Sequence, residues 1–392
     1  MRIVIVAAVF PPEPVVSARI LYELACNLSV SHDVIVLKPR PSRPHGFIFG
    51  SFEANNKIRV VELKSFVYSR SNFIGRSIES ISFGISSSFF LLYNNKRYDC
   101  VYNGAWPLFG QLFVSITCAI FKKKYILPIQ DIYPEAVSHR IPYSMRWLMN
   151  IFRSIDKINL KLASRSYTIS DNLRHYISST RGLKLEKLDL IYNWQNTSDF
   201  TFSEMSKRTE RFSFMYLGNI GKASGVISLI DLFNRAGLHN CDLFIAGSGS
   251  VRHEAEEFTL LNNIDNVHFL DVPFGNVDAV QQMADVLILF TLGNTSIYSV
   301  PSKLPAYMMS SKPVLAFVHP DSETSRIINL SGCGWAVDSN NDTAFIQLLR
   351  QIPSVERDTL YNFGKNGSAF AREYMSEKNL NLLVRLVENL EY

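Results

Sequence analysis

The chain has 392 residues, of which 47% are apolar and 19% charged. That is ordinary globular composition with length for two or three domains, and it excludes a disordered chain and a small disulfide scaffold. Forty Lys and Arg against 35 Asp and Glu leave a formal charge of +5, too dilute to wrap nucleic acid yet compatible with docking on an anionic membrane surface.

The N-terminal run Ile3 to Phe10 has the length of a buried strand. Met1-Arg2 before it gives it a superficial likeness to a secretion signal, but Pro11-Pro12-Glu13-Pro14 stops the run and no A-x-A cleavage pattern follows. Ser17 to Ser29 reads as an amphipathic helix and Asp33 to Leu37 as the next strand, which makes a βαβ unit. A basic, proline-rich loop from Pro39 to Pro44 leads to a strand at Ile58 to Leu63 and a Ser/Phe-rich helix at Ile78 to Tyr93. Strands follow at Tyr98 to Tyr102, Tyr125 to Ile129, Ser166 to Ser170 and Leu188 to Tyr192. The helices among them are Trp106 to Phe121, Met145 to Leu162 and one from Asn172 that Ser170 caps.

No stretch reaches the roughly 18 to 20 apolar residues that span a bilayer. The nearest, Trp106 to Phe121, has no charge and runs into Lys122-Lys123-Lys124. Two readings stay open: a buried helix with solvated lysines at its C-terminal end, or an interfacial helix with its lysines on anionic headgroups. The five cysteines, Cys26, Cys100, Cys118, Cys241 and Cys333, never form a C-x-x-C pair. They argue against a disulfide framework or zinc site and fit a reducing compartment.

Gln195 to Arg211 is polar and aperiodic, a linker between two lobes. The alternation then restarts. Strands at Phe214 to Leu217, Cys241 to Ala246, Val267 to Leu270, Val286 to Phe290 and Val314 to Val318 are interleaved with helices at Val226 to Ala236, Val251 to Asn262, Val277 to Met283 and Pro305 to Ser310. Helices at Thr324 to Leu330, Asp342 to Ile352 and Glu377 to Leu390 complete the chain. The fold class is α/β, two Rossmann-like, doubly wound lobes with ligands expected in a crevice at the carboxyl ends of the strands. The domains expected are a first lobe at 1–197, a second lobe at 198–374 and a C-terminal helix at 375–392 packing back on the first lobe.

Three segments of the second lobe have phosphate-binding chemistry. Gly218-Asn219-Ile220-Gly221-Lys222 follows a strand and opens toward a helix, so glycines allow close approach, free N–H groups face a ligand and Lys222 adds charge. Gly247-Ser248-Gly249 repeats the pattern after the next strand, with Arg252 one helical turn on. Pro301-Ser302-Lys303-Leu304 places a lysine beside a helix start.

These segments, with Phe10-Pro11-Pro12-Glu13, Ala18-Arg19, Gln130-Asp131-Ile132-Tyr133-Pro134-Glu135, Asn193-Trp194 and Gly332-Cys333-Gly334-Trp335, resemble the family-four retaining glycosyltransferases of bacterial surface-polysaccharide and O-antigen synthesis. The resemblance runs over nearly the whole chain. It implies a GT-B fold, a nucleotide-diphosphate sugar held by the C-terminal lobe, a saccharide or lipid-linked saccharide acceptor on the N-terminal lobe, and no metal or cofactor. It also implies a cytoplasmic protein at the inner face of the membrane. Donor contacts fall on Gly218, Asn219, Gly221, Lys222, Gly247, Gly249, Arg252, Ser302 and Lys303, and acceptor contacts on Glu13 and Arg19. Asp131 and Glu135, at a strand end, are the candidate catalytic carboxylates.

The chain departs from the family at defined places. Tyr298 and Ala306 stand where two glutamates eight positions apart are common, Asn219 stands in place of an arginine, and Val15-Val16 replace paired glycines. Glu323, opening a helix after Val314 to Val318, is the carboxylate placed to take over the ribose contact. The alternatives are a non-catalytic GT-B subunit that binds membrane or a partner, and a nucleotide-sugar epimerase.

Overall fold

The computed structural model describes residues 1–392 except 44–46, 69–72, 136–142, 144–145, 202–210, 222–223, 274, 292–296, 299 and 392. The chain divides into two compact units, Met1–Ile191 with Leu380–Tyr392, and Tyr192–Asn379.

The first unit contains β1 (Arg2–Ala7), α1 (Val16–Leu28), β2 (Asp33–Lys38), β3 (Ile58–Glu62), α2 (Phe73–Tyr93), β4 (Cys100–Gly104), α3 (Phe109–Ile120), β5 (Lys124–Ile129), α4 (Leu148–Leu162), β6 (Arg165–Thr168), α5 (Asp171–Arg181) and β7 (Leu188–Leu190). Its sheet is parallel throughout, in the order β3-β2-β1-β4-β5-β6-β7. β1 is apolar and buried from Ile3 onward because a central parallel strand is covered on both faces. Right-handed crossovers place α1 on one face and α2, α3 and α4 together on the other, where α2 packs on α3 and α3 on α4. Ser170 caps α5 as its position predicts, its Oγ accepting from the Leu173 N–H at 3.1 Å.

The second unit contains β8 (Phe212–Leu217), α6 (Val226–Ala236), β9 (Cys241–Ala246), α7 (Arg252–Leu261), β10 (Val267–Leu270), α8 (Val277–Gln282), β11 (Val286–Phe290), α9 (Leu304–Met309), β12 (Val314–Val318), α10 (Glu323–Ser331), β13 (Gly334–Asp338), α11 (Asp342–Gln351) and α12 (Arg357–Tyr374); α13 (Lys378–Glu388) leads back into the first. Its sheet is also parallel, ordered β10-β9-β8-β11-β12-β13. Phe214, Ile245, Ile288, Phe317 and Phe345 lie in its core. The two doubly wound lobes expected from the strand and helix alternation are both present, and in each the order reverses beside the first strand, the switch point where such sheets bind ligands.

β13 and α12 form where no element was expected, and two segments of the first unit differ from the elements expected of them. The apolar run at Trp106 is helical only from Phe109, because Pro107 and then Leu108, at φ 64°, hold the chain in a turn ahead of the helix. The lysine run does not simply cap it. Lys122 turns the chain at φ 52°, Lys123 donates from Nζ to the Tyr98 carbonyl at 2.6 Å, and Lys124 begins β5.

Candidate active site

In the second unit the turns after β8 and β9 lie side by side at the carboxyl edge of the sheet. They are joined by backbone bonds from Gly218 N to Ala246 O (2.9 Å), Ile220 N to Ser248 O (2.9 Å) and Val251 N to Ile220 O (3.0 Å). This contact is so close that a Cβ at Gly247 would lie 2.2 Å from the Gly218 carbonyl oxygen, and one at Gly249 would lie 2.3 Å from that of Ile220. The glycines are therefore required by the pairing of the turns as well as by any ligand. Lys222 lies outside the described residues.

Lys303 reaches the same edge from the start of α9. A Cβ at Gly218 would lie 2.9 Å from its Nζ. The ammonium donates to the Tyr216 hydroxyl at 2.6 Å and stands 3.9 Å from the centroid of that ring. The Tyr216 hydroxyl in turn donates to the Asn219 carbonyl at 3.0 Å. Tyr307, one turn into α9, locks the helix to β8 by accepting from Leu217 N (2.7 Å) and donating to Leu217 O (2.8 Å). No carboxylate forms an ion pair with Lys303 among the described residues, and burial brings its pKa down to about 8. A cation held in place without an anion is the electrostatic counterpart of a diphosphate. Ser302 beside it is exposed.

Arg252 and Glu323 are already engaged within the protein. Arg252 Nη1 donates to the Gly247 carbonyl at 2.8 Å and pairs with Asp271, while Nε pairs with Glu256 at 2.8 Å. It therefore braces the second glycine turn. Glu323 is fully buried at the head of α10, where Oε1 accepts from the Tyr192 hydroxyl (2.8 Å) and Arg326 Nη2 (2.5 Å). Ala306 is buried inside α9.

The first unit has a cavity of about 280 Å³ at the carboxyl ends of β1, β4 and β5, with Ala8, Tyr102, Trp106, Gln130, Asp131 and Asp156 among its lining. Asp131 is open to solvent at the cavity mouth but surrounded by protein on its other sides, and this desolvation raises its carboxyl above the usual range. Its Oδ1 accepts from the Ile132 N–H at 2.8 Å.

Glu135 is placed differently. Its carboxylate accepts from Arg181 Nη2 (2.7 Å), Arg153 Nε (3.0 Å) and the Tyr176 hydroxyl (3.2 Å). Burial opposes its ionisation, yet the arginines win and hold its carboxyl below the usual value. Arg181, buried completely, also donates from Nε to Asp156 at 2.7 Å.

Glu13 is buried beneath the same edge, accepting from the backbone N–H groups of Phe10 (3.3 Å), Ser42 (3.0 Å) and Arg43 (3.0 Å), so it ties the loop after β1 to the proline-rich loop. Arg19 pairs with Glu23 one turn along α1 at 3.2 Å.

One feature was not visible in the sequence. Glu79, buried in the middle of α2, pairs with Arg43 (2.5 Å) and Arg76 (3.0 Å), and burial pushes its pKa up to about 7. The Arg43 guanidinium stacks on Trp106 at 3.7 Å. These groups line a neighbouring cavity of about 250 Å³. The only signal was a lone acid in a Ser/Phe-rich helix.

Residues 198–370 match the family model described as glycosyl transferases group 1. A probable glycosyltransferase of Pseudomonas aeruginosa, WbjE, is 20% identical over 317 residues, covering 76% of this chain and 78% of WbjE. Anabaena HepE, solved in complex with UDP and glucose, superposes with a TM-score of 0.70 at 14% identity over 100% of this chain and 99% of HepE. WaaG, a glycosyltransferase involved in lipopolysaccharide biosynthesis, gives 0.71 at 12% identity over 98% of this chain and 99% of WaaG. The chain has the GT-B fold.

Proposed function

We propose that this chain, whose second lobe is a group 1 glycosyltransferase domain on a GT-B frame, is a metal-independent retaining glycosyltransferase. It moves a sugar from a nucleoside-diphosphate sugar to a saccharide acceptor, lipid-diphosphate-linked, in cell-surface polysaccharide synthesis. The observation that carries this reading is Lys303, a positioned ammonium with no carboxylate partner among the described residues, beside paired glycine turns.

In this mechanism the leaving diphosphate gains charge as the glycosidic bond breaks. Lys303 is set to stabilise it in advance, with those N–H groups of the two turns not already committed, as Gly218, Ile220 and Gly247 are, to backbone carbonyls. Lys222 adds a second cation. The acceptor hydroxyl attacks from the face that the nucleotide leaves, and a departing phosphate oxygen takes its proton, so no strongly basic carboxylate is needed. Asp131 hydrogen-bonds and orients the acceptor, whereas Glu135 acts through Arg181 as a positioning residue. In this reading neutralisation of the diphosphate falls to the lysines and amides. The scattered cysteines, none of them in a C-x-x-C pair, agree with a cytoplasmic protein.

UDP is the first nucleotide to test, because HepE was solved with it. A thermal-shift panel of nucleoside diphosphates and their sugars, run on the parent and on Lys303→Met, should give a shift for one base that the variant loses. No shift with any nucleotide defeats the reading.

Ala306 and Tyr298, in place of the family's glutamates, favour a second reading: a GT-B subunit that binds a nucleotide without transferring sugar. Nucleotide binding with no turnover on any lipid-linked acceptor would select it.

A further inference from the structure

The second cavity of the first unit, of about 250 Å³, is lined by the start of α2, the turn ahead of α3 and Arg43 of the proline-rich loop. It adjoins the cavity of Asp131, since Trp106, Pro107 and Tyr133 line both. Its volume falls just below the range of about 300 to 1,000 Å³ that holds drug-sized ligands, so its occupant is smaller, one ring with a substituent. The frame is fixed by Ser80 of α2, whose Oγ accepts from the Gly110 N–H at 2.8 Å and donates to the Pro107 carbonyl at 3.3 Å.

The charged side chains among its lining are Arg43, Arg76 and Glu79. Both guanidinium groups donate to one oxygen, Glu79 Oε2, Arg43 at 2.5 Å and Arg76 at 3.0 Å. A single carboxylate can accept from both arginines, but its one charge offsets only one of theirs, and burial opposes even that charge. The cavity therefore has an excess cation. It also has unmet donors, for Arg43 Nε and Trp106 Nε1 are buried with no partner among the described residues. Buried donors left unpaired are costly, and a ligand that accepts from them relieves the cost. The Arg43 guanidinium lies 3.7 Å from the Trp106 ring centroid, and Phe73 and Phe109 add aromatic lining. Aromatic surface beside hydrogen-bonding cations suits a sugar ring with an acidic substituent.

We propose that this cavity takes an acidic sugar of the acceptor, a uronate whose carboxylate bonds to Arg43 and Arg76 and whose ring lies along Trp106, while the neighbouring sugar occupies the cavity of Asp131. An excess of one positive charge matches a monoanion such as a carboxylate. The diphosphate of a lipid-linked acceptor carries more negative charge than this lining can compensate. The inference rests on the transferase reading for calling the sugar part of an acceptor. It is tested by binding of a free sugar without donor or transfer, so its failure and that of the transferase reading are distinguishable.

The test compares D-glucuronate with D-glucose on the whole chain, titrated by saturation-transfer NMR. Glucuronate should bind at least about tenfold more tightly, the smallest gain expected of hydrogen bonds to a charged group. Arg76→Met should bring it down to the level of glucose. Glu79→Gln releases both arginines from their internal acid and should tighten glucuronate binding by up to about fivefold, the scale of a partly exposed ion pair. Lys303→Met, in the other lobe, should leave glucuronate binding unchanged, which separates this cavity from the phosphate-binding edge. If Glu79→Gln does not fold, Arg76→Met, which leaves Glu79 paired with Arg43, still decides. Equal binding of the two sugars, or a preference for glucuronate that survives Arg76→Met, overturns the inference. So does a folded Glu79→Gln protein that melts lower and gains no affinity, which would make the cluster a structural tie. Glucose 1-phosphate binding more tightly than glucuronate, and losing that binding in Arg76→Met, would overturn it too by assigning the cavity to a phosphate.

Discussion

Arg181 and Lys303 are both cations held inside a lobe, and their surroundings give them opposite uses. Arg181 has two carboxylates, Glu135 at 2.7 Å and Asp156 at 2.7 Å. Lys303 has a tyrosine hydroxyl, an aromatic face and no carboxylate partner among the described residues. Desolvating a cation is unfavourable unless an anion compensates it. Where the protein supplies that anion the cation is a structural tie, and where it does not, the site gains most from an anionic ligand.

The largest effect should come from breaking the compensated site. Arg181→Met leaves Asp156 without its guanidinium partner in the interior, and removing one member of a buried pair costs about 3 to 5 kcal/mol. Urea unfolding should show that loss, while nucleotide affinity, a property of the other lobe, stays at the parental value. A fully stable Arg181→Met protein would mean that the cluster is poised for a ligand instead.

Lys303→Met should reverse the pattern. Nucleoside-diphosphate affinity in calorimetry should fall by about 1.5 to 3 kcal/mol, the range for hydrogen bonds to charged groups. Stability without ligand should be unchanged or higher, because an uncompensated charge has been removed and Tyr216 keeps its own acceptor on Asn219. Loss of stability with unchanged affinity would place Lys303 in the same class as Arg181.

The third effect is set by pH. With its pKa lowered to about 8, Lys303 is charged in the free protein below that pH, and a bound diphosphate raises the pKa again. Nucleotide affinity should therefore be flat below about pH 8 and fall above it by up to about 1.4 kcal/mol per pH unit, with a proton taken up on binding. Lys303→Met should abolish that slope.

The contrast between the two cations also marks what could be read from sequence. Lys303 was legible because its function is local: a lysine beside a helix start, in a chain with two glycine turns after strands. Arg181 was not, since as the last residue of α5 it looks like an ordinary dipole-complementing cation, and its partner Glu135 is 46 residues away. Glu79 was hidden for the same reason. The strands were legible as apolar runs bounded by turns, but β13 and α12 were missed. The buried face of α12 is mostly small, Gly364, Gly367, Ser368 and Ala371 following a single Leu360. A Cβ at Gly364 would lie 2.0 Å from the Ser311 carbonyl oxygen, so close backbone packing holds this helix through glycines that in a sequence read as helix breaks.

The smallest stability effect should come from Asp131, and it tests the first lobe from the other side. Glu135 and Asp131 are four residues apart, but the first is held ionised by arginines and the second has its carboxyl raised by desolvation. A carboxyl with a raised pKa favours the folded state most when protonated, so its contribution is present below the unfolded pKa and lost as pH rises through the folded one. Asp131→Asn keeps an oxygen for the Ile132 N–H and removes that dependence, so at neutral pH unfolding should stay within about 0.5 kcal/mol of the parent. Single-turnover transfer should fall while nucleotide affinity holds, because an amide orients an acceptor hydroxyl less well than a carboxylate that only accepts. Parental transfer by Asp131→Asn would remove Asp131 from acceptor binding, and a clear loss of stability would instead make it a backbone cap.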